Sequence, residues 1–341
     1  METYTVSLDA MGGDFGVAVV VRAAAKYLEF NRDTSLILVG DQQEIAVEFN
    51  KINVKPCERL KIHHTSQQVE MNESPSSALR TKKDSSMRVA VNLVKEGIAH
   101  ACVSAGNTGA LVATARYVLK TLSGIDRPAI ISTIPSIHGH TYMLDLGANV
   151  GCTSEHLLQF AVMGSVLASA IDEIENPKVG LLNIGEEEIK GNEQVKQANE
   201  MLRQSGLNYI GYVEGDDVYC GDVNVVVCDG FAGNVSLKAS EGVARTISHY
   251  IKQEFDRNLL TRLSGLLALP VLKSFSQRID PRCYNGASLL GLRGVVIKSH
   301  GSADAYSFQH AIDIARVEAV KQVPQQIDTR IVEYLEHSSA L

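Results

Sequence analysis

The amino-acid sequence predicts an α/β fold, a three-layer α/β/α arrangement around a mixed, largely parallel sheet. Short runs rich in Val, Ile and Leu alternate with longer segments of helical period throughout the 341 residues, which is the pattern of βα units. With 45% hydrophobic and 21% charged residues, the composition is that of an ordinary folded chain. Because no repeat, low-complexity tract or linker divides the sequence, we expect residues 1–341 to form a single domain.

The alternation assigns each element in order. Apolar runs predict strands at 5–9, 35–39, 60–64, 101–104, 129–133, 141–146, 178–184, 209–214, 223–228 and 294–298. Helical periodicity predicts helices at 16–30, 76–96, 108–122, 153–172, 192–204, 235–256 and 303–323.

Charge and cysteine content exclude several classes of protein. The 32 basic and 39 acidic residues give a net charge of −7, Trp is absent and aromatics make up 6%, so no nucleic-acid partner is expected. The six cysteines are scattered without a C-x-x-C pair, which favours a reduced, cytoplasmic setting. The N-terminus lacks the pattern of a secretory signal, and no apolar stretch is long enough to span a bilayer.

Glycine-rich corners follow five of the predicted strands. Each places Gly beside Asp, Asn or Ser, and they lie at 9–14, 104–109, 145–149, 183–186 and 229–234. Ligands of open α/β sheets bind beyond the carboxyl ends of strands, where amides at the start of the next helix point outward. We therefore expect these corners to build one crevice.

The corner at 104–109 is the best anion site in the sequence. Backbone amides, together with the side chains of Ser104, Asn107 and Thr108 around Gly106, are suited to surround a phosphate. A helix cap would explain Asn107 or Thr108 alone. The G-G-x-x-G of residues 12–16 departs from the dinucleotide fingerprint, and a tight turn accounts for its glycines.

Lys190 and Asn234 stand at two further corners. Lys190 follows three glutamates between Gly185 and Gly191, where it is either part of a solvated charge cluster or the cation for a bound anion. Asn234 closes the corner at 229–234, where it is either a helix N-cap or a ligand.

A basic run, Arg80, Lys82 and Lys83, lies on a segment of helical period. It is either a solvated helix face or a docking site for an acidic or phosphorylated partner. His138 and His140 have no further ligands at a known metal spacing, so no metal site is predicted and the pair is assigned to a loop.

Residues 257–279 form an apolar tip with four basic residues and no acidic one. Leu263, Leu266, Leu267 and Leu269 lie in a helical pattern that Pro270 is expected to break or bend. Apolar residues flanked by cations are typical of an element in a membrane interface. A subunit contact and a core helix are the alternatives.

Taken in order, the corners resemble the bacterial phosphate acyltransferase (PlsX) family. The resemblance is carried by Asp9-Ala-Met-Gly-Gly-Asp14, Ala78-Leu-Arg-Thr-Lys-Lys-Asp-Ser-Ser-Met87, Ser104-Ala-Gly-Asn-Thr-Gly-Ala-Leu111, Leu144-Asp-Leu-Gly-Ala-Asn149, Asn183-Ile-Gly-Glu-Glu187, Asp229-Gly-Phe-Ala-Gly-Asn234 and Lys298-Ser-His-Gly-Ser-Ala-Asp304. One departure is Val17, which stands where the family has Pro.

The resemblance implies that inorganic phosphate attacks the thioester of an acyl carrier protein, giving acyl-phosphate and the free carrier. It also implies a fold similar to the isocitrate dehydrogenase and phosphotransacetylase group, a homodimer and no cofactor. By the same match, Lys190 and Asn234 are catalytic. We expect phosphate or substrate contacts in the matching corners, from Asp9, Gly12, Gly13, Ser104, Gly106, Asn107, Thr108, Asn149 and Gly233.

Further expectations concern His300 and the partners. His300 is a candidate to protonate the departing sulfur, and the basic run is a candidate dock for the carrier protein. The tip would hold the protein against the inner face of the cytoplasmic membrane, near a membrane glycerol-phosphate acyltransferase. The alternatives are a phosphotransacetylase-like acyl-CoA enzyme or a dehydrogenase of the same fold, and a non-catalytic membrane-surface scaffold.

Overall fold

The structure, a computed structural model, describes the backbone of residues 3–339 and, apart from 276–279, 281 and 334–339, their side chains. The strands are β1 (Tyr4–Asp9), β2 (Thr34–Gly40), β3 (Leu60–His64), β4 (Ala101–Ser104), β5 (Ala129–Ser136), β6 (Gly139–Leu144), β7 (Val179–Leu182), β8 (Tyr209–Val213), β9 (Val225–Val227), β10 (Ala287–Leu290) and β11 (Val295–Lys298). The helices are α1 (Gly16–Phe30), α2 (Gln42–Lys51), α3 (Pro75–Thr81), α4 (Ser86–Lys95), α5 (Thr108–Leu119), α6 (Ser154–Asp172), α7 (Glu193–Arg203), α8 (Asp217–Cys220), α9 (Gly230–Asp256), α10 (Leu259–Ile279), α11 (Ala305–Val320) and α12 (Val323–Ser339).

These strands form one mixed sheet in the order β3-β2-β1-β4-β11-β10-β5-β6-β9-β7-β8. The strands on the β1 side, from β3 to β11, run parallel to one another. The strands from β6 to β8 also run parallel to one another. Antiparallel pairings of β11 with β10, β10 with β5, and β5 with β6 lie between them. The two parallel halves of the sheet therefore point in opposite directions.

Helices cover both faces, which confirms the three-layer α/β/α prediction. On β1, Val6 and Leu8 face a core shared with α1, α2 and α11, whereas Ser7 points to the other face and donates to the Ala90 carbonyl of α4. Along the second half of the sheet, α6, α7 and α12 continue the layer of α1 and α11. The opposite layer consists of α3, α4, α5 and α8, with the start of α9 packed against it.

Several predicted boundaries were wrong for local reasons. The helix predicted at 76–96 is two helices, because Ser85 accepts a hydrogen bond from the Arg88 amide and caps a new helix, α4. The helix predicted from 235 begins at Gly230, because Asp229 caps it. His140 lies in β6 and contacts Asp172, not in a loop. The prediction missed α2, α8, α12 and β10.

Helices α9 and α10 form an arm with exposed apolar side chains. They enclose a groove of about 820 Å³ lined by residues of both helices, among them Phe255, Leu266 and Leu269. Pro270 lies inside α10 and does not end it, so of the two expected effects the break was wrong and the bend stays a prediction. Among the described residues, no helix is long and apolar enough to span a membrane.

Candidate active site

Strand direction divides the glycine-rich corners between two edges of the sheet. The corners at 9–14 and 104–109 follow β1 and β4, and residues 298–304 follow β11, which runs parallel to them. The corners at 145–149, 183–186 and 229–234 follow β6, β7 and β9 at the opposite edge. We expected all five corners to share one edge, but the antiparallel strands in the middle of the sheet separate them.

Asp9, Ser104 and Lys298 form what we call the buried cluster, at the carboxyl ends of β1, β4 and β11. The Ser104 hydroxyl donates to Asp9 Oδ2 over 2.6 Å, and Ser104 Oγ accepts from the Gly106 amide over 3.1 Å. Asp9 is 1% exposed, and its Oδ1 has no hydrogen-bond partner among the described residues. Burial raises the pKa of the Asp9 carboxyl, and the Ser104 hydrogen bond opposes that shift.

Two glycines allow the backbone to close around Asp9. A Cβ added to Gly12 would lie 2.7 Å from both Asp9 Oδ2 and the Gly106 amide nitrogen. Gly13 has a φ of +91°, a conformation that L side chains rarely adopt, and its Cβ would meet Ala105 at 2.9 Å. The turns at 12–13 and 105–106 are therefore in direct contact.

Lys298 closes the cluster from β11. Its ammonium donates to the Ala105 carbonyl over 3.3 Å and to the Ser299 carbonyl. Burial lowers its pKa to about 8, while the negative charges of Asp9 and Asp14 oppose that shift. The sequence analysis assigned no role to Lys298. A lysine that ends an apolar strand, at the same sheet edge as Asp9, is a pattern that indicates a functional residue.

His300 follows the same strand. Its Nδ1 accepts the Ser302 amide over 3.2 Å and lies 2.8 Å from the Ser302 hydroxyl. Burial lowers the pKa of His300, so the imidazole is neutral at pH 7. Because Nδ1 accepts the amide, the proton of the neutral ring belongs on Nε2. His300 can therefore offer an N–H donor, and burial disfavours its imidazolium form.

The 104–109 corner is partly occupied by structural contacts. Asn107 is the N-cap of α5 and accepts the Ala110 amide over 3.0 Å. Its Nδ2 also donates to the carbonyls of Met71 and Glu73, which clamps that loop beside the corner. Thr108 is exposed at the first position of the helix. The phosphate contacts predicted at this corner stay predictions, and the exposed Thr108 is better placed for them than Asn107 or the Gly106 amide, which donates to Ser104.

Asp145 organises the corner after β6, a function the sequence did not reveal. Its carboxylate accepts amides of Ile130 (2.8 Å) and Asn149 (2.6 Å), and burial raises its pKa. Asn149 donates through Nδ2 to Asp145 and to the Pro128 carbonyl. A Cβ on Gly233 would lie 2.0 Å from the Asp145 carbonyl oxygen. Gly233 thus packs the start of α9 onto this corner, and Asn149 ties the corner to Pro128.

A second group of polar residues, which we call the exposed cluster, lies in the corners after β7 and β9. It consists of Glu187, Lys190 and Asn234. The exposed Asn234 lies beyond the first turn of α9, so it is not the cap, which is Asp229. Its amide lies against Gly147 and has no described hydrogen-bond partner. Asn234 therefore keeps both its donor and its acceptor available.

Lys190 is exposed and pairs with Glu187 over 2.7 Å. The hydrogen bond to Glu187 raises the pKa of Lys190, which keeps the ammonium charged at neutral pH. Because β7 and β9 are parallel neighbours, the loops carrying Lys190 and Asn234 lie at the same edge. Among the described residues, no hydrogen bond or ion pair joins Lys190 to Asn234 or to the 104–109 corner.

Helix α9 connects the two edges. It begins beside Gly147 with Asn234, and one turn further on the charge of Lys238 is near enough to lower the pKa of both Lys298 and His300. The charge of Glu241, on the same helix, opposes the lowered pKa of His300. One face of α9 thus extends from the exposed cluster toward the buried one.

The basic run lies beside the 104–109 corner. Helix α3, which carries Arg80, begins with Pro75, and a Cβ on Gly109 would meet that proline at 2.9 Å. Arg80 and Lys83 are exposed and Lys82 is half-buried. In the described part of the chain, none of the three has an ion-pair partner.

The chain has the α/β fold of the phosphotransacetylases. The phosphotransacetylase of Streptococcus pyogenes superposes with a TM-score of 0.63 over 94% of each chain at 19% identity. A branched-chain phosphotransacylase of Enterococcus faecalis gives 0.56 over 94% of this chain and all of that one, at 15% identity. At these identities the likeness concerns the fold alone.

Sequence relatives identify the family. Residues 4–326 match the family model described as fatty acid synthesis protein. The phosphate acyltransferase of Methylococcus capsulatus is 61% identical over 96% of this chain and 97% of its own. That of Alkalilimnicola ehrlichii is 63% identical over 97% and 96%. The chain belongs to the phosphate acyltransferase family, as its motifs predicted, and it is an acyltransferase.

Proposed function

We propose that this acyltransferase moves a fatty acyl group from the thioester of an acyl carrier protein to inorganic phosphate, giving acyl-phosphate for phospholipid synthesis. The observation that carries the proposal is the pairing of an uncommitted amide, Asn234, with a charged lysine, Lys190, at neighbouring strand ends of a family member. Phosphate is already an anionic nucleophile and a thiolate is a tolerable leaving group, so the site needs no Ser-His-Asp triad.

The proposed site positions one anion and stabilises another. Lys190 neutralises the phosphate as it approaches the exposed cluster. The 104–109 corner lies at the opposite edge of the sheet, and its Gly106 amide already donates to Ser104, so this corner is not assigned to the same phosphate. When a phosphate oxygen bonds to the acyl carbon, the carbonyl oxygen becomes an oxyanion that the Asn234 amide stabilises. The C–S bond then breaks, and His300 Nε2–H donates a hydrogen bond to the departing sulfur.

The basic run is the proposed carrier-protein dock. Arg80, Lys82 and Lys83 present positive charge without described acidic partners beside the 104–109 corner. An acidic carrier would be attracted to such a patch on a protein whose net charge is −7. The carrier would then dock at the edge of the sheet toward which α9 extends from Asn234.

Phosphate-dependent cleavage of the carrier thioester tests this function. We expect purified protein to release free carrier thiol from an acyl carrier thioester only when phosphate is present, with acyl-phosphate as the second product by mass spectrometry. Lys190→Ala should lower turnover at saturating phosphate by roughly a hundredfold. Cleavage that is independent of phosphate would exclude the function, and near-normal turnover of Lys190→Ala would remove this lysine from the mechanism.

The arm is the proposed membrane contact and subunit contact. Leu263, Leu266, Leu267 and Leu269 are 53–80% exposed on α10, and apolar residues of α9 are exposed as well. An exposed apolar surface of this kind marks a lipid or protein contact. We propose that the α10 leucines contact lipid at the cytoplasmic face of the membrane and that a second copy of the chain packs along the groove.

Vesicle binding separates the two contacts. Replacing Leu266 and Leu267 by Glu should abolish binding to anionic vesicles and leave thioester cleavage in solution unchanged. Unchanged vesicle binding would refute the lipid contact. A fall in molecular mass from dimer to monomer would assign these leucines to the subunit interface instead.

A further inference from the structure

One helical layer is strongly basic although the chain as a whole is acidic. Residues 75–125, which include α3, α4 and α5, contain seven Lys and Arg against two Asp and Glu, in a chain whose net charge is −7. The three helices themselves contain no acidic residue. The carboxylate of Asp84 is already engaged by the amide (2.8 Å) and the hydroxyl (2.6 Å) of Ser66. The elements that carry this positive charge therefore do not neutralise it.

Tyr117 of α5 lies between two of these cations. Its side chain is 52% exposed. The guanidinium carbon of Arg88, on α4, lies 5.1 Å from the centroid of the ring, and the Lys120 ammonium nitrogen lies 4.8 Å from it. The face of an aromatic ring attracts cations, so the tyrosine holds both charges beside it. In the described part of the chain, neither cation has a carboxylate partner, and both charges are available to a partner molecule.

Backbone contacts connect these cations to further ones on either side. The Arg88 guanidinium donates over 2.9 Å to the carbonyl of Leu79, the neighbour of Arg80 in the basic run. At the other end, the Lys120 carbonyl accepts the amide of the exposed Arg293 over 3.2 Å, and the Arg293 guanidinium donates to the following carbonyl over 3.1 Å. What we call the basic stripe consists of Arg80, Arg88, Tyr117, Lys120 and Arg293.

The composition of the stripe is that of a protein contact. The helix dipole accounts for a cation such as Lys120 at the carboxyl end of α5, but it disfavours Arg88 in the first turn of α4. Exposed tyrosine beside arginine is typical of the centre of a protein interface. Within 75–125, all of which the structure describes, Ile98 and Tyr117 are the only exposed large apolar side chains. The stripe therefore lacks the row of exposed leucines that suits the arm to lipid.

We propose that the basic stripe is the docking surface for an acidic carrier protein, with Tyr117 as its central contact and the basic run at one end. The proposal rests on the proposed function for the identity of the partner. The 12 residues of α5 span about 18 Å, so an acidic helix of about three turns could face the stripe along its length. The alternative is that these cations only bind carbonyls at helix ends, in which case their removal would lower stability and leave carrier binding unchanged.

The experiment compares wild type with Tyr117→Ala, Lys120→Glu and Arg88→Gln. The control is Lys55→Glu, which makes the same change of charge at an exposed lysine between α2 and β3, outside the stripe. Calorimetric titration with acyl carrier protein, without phosphate, measures Kd at low and at physiological salt. The cleavage assay measures kcat and the KM for the acyl carrier thioester, and thermal unfolding confirms that each variant is folded.

We expect Tyr117→Ala and Lys120→Glu each to weaken carrier binding about tenfold at low salt, and Arg88→Gln about threefold. The loss should appear in the KM for the thioester rather than in kcat, because the stripe does not touch the reacting atoms. Added salt should reduce the effect of Lys120→Glu, since it screens the charge, and leave that of Tyr117→Ala in place.

Several results would overturn the proposal. They are folded Tyr117→Ala and Lys120→Glu proteins with unchanged carrier Kd, or an equally large effect of Lys55→Glu. If the variants do not fold, wild-type carrier affinity that is independent of salt would overturn it. Loss of binding to anionic vesicles by Lys120→Glu, together with an unchanged carrier Kd, would assign the stripe to lipid instead.

The outcome is separable from that of the proposed function. Carrier binding that depends on Tyr117 and Lys120, without phosphate-dependent thioester cleavage, would keep the docking surface and reject the reaction. Phosphate-dependent cleavage with carrier Kd and KM insensitive to both residues would keep the reaction and reject the docking surface.

Discussion

The buried and exposed clusters lie at opposite edges of one sheet, and they differ in how their polar groups are used. In the buried cluster, Asp9 and Ser104 bond mainly to each other and to amides of the surrounding turns. In the exposed cluster, Asn234 has no described hydrogen bond, and Lys190 is held only by an ion pair at the surface. The polar groups of Asp9 and Ser104 are therefore occupied mainly by contacts within the protein. Those of the exposed cluster remain available to bind a ligand.

Because of this difference, mutations in the two clusters should separate effects on turnover from effects on stability, which a single mutation usually combines. Changes in the exposed cluster should alter turnover while leaving the fold intact, since exposed ion pairs and unpaired amides contribute little to stability. Changes in the buried cluster should alter stability first, because its backbone turns are in contact. Each of the following predictions tests one side of that division.

Removing the Asn234 amide should have the largest effect on turnover. Asn234→Ala is expected to lower kcat by about a hundred- to a thousandfold, because a donor to the oxyanion is lost where charge develops. The unfolding midpoint should stay that of wild type, since the side chain makes no described hydrogen bond. Steady-state kinetics and thermal unfolding on the same preparation check both parts.

Asn234→Asp provides the matched control for shape. It keeps the size of the side chain and removes the N–H donors, so it should be as slow as Asn234→Ala. An Asp variant with near-normal turnover, or an Ala variant within tenfold of wild type, would show that Asn234 does not stabilise the oxyanion.

Adding one methyl group to the buried cluster should reduce stability. Gly12→Ala places a Cβ 2.7 Å from the Gly106 amide nitrogen, a backbone atom that cannot move without displacing the turn. We expect the free energy of unfolding to fall by about 1–3 kcal/mol, as in overpacked cores. Denaturant unfolding measures the change.

Gly242→Ala is the control, because a Cβ at that position in α9 meets nothing within 4 Å. Alanine favours a helix over glycine, so this variant should be neutral or more stable by up to about 1 kcal/mol. If Gly12→Ala were as stable as Gly242→Ala, the turns at 12–13 and 105–106 would not be closely packed. The buried cluster would then not differ from the exposed cluster in its contribution to stability.

Sequence periodicity predicted most of the layered fold but not the direction of every strand. The missed strand β10 lies between β11 and β5 and pairs antiparallel with both. Only four residues long and preceded by a 3-10 turn, Ala287–Leu290 gives too little pattern to distinguish it from a loop. Without β10, all the corners appeared to share one edge, and their division between two edges was not predictable.

The sequence predicted which residues lie at the candidate site better than it predicted what each residue does there. The motifs located Asp9, Ser104 and Asn149, but their buried hydrogen bonds depend on residues far away in sequence. Asn107 and Asn234 looked equivalent as possible caps, yet the structure makes only Asn107 a cap, because α9 begins after Asp229, five residues earlier than the periodicity indicated. The position where α9 begins thus decides that the side chain of Asn234, and not that of Asn107, is free to contact substrate.

The smallest expected effect concerns the ion pair of the exposed cluster. Glu187 holds the Lys190 ammonium over 2.7 Å, so an incoming phosphate must share that cation with a carboxylate of like charge to its own. Glu187→Gln should lower the phosphate KM about two- to fourfold at low salt, and the gain should shrink as added salt screens the charge. Glu188→Gln is the matched control, because that neighbouring carboxylate pairs with Arg203. An equal effect of the two substitutions would indicate a general change in surface charge, whereas an effect confined to Glu187 would show that phosphate meets Lys190 at this edge of the sheet.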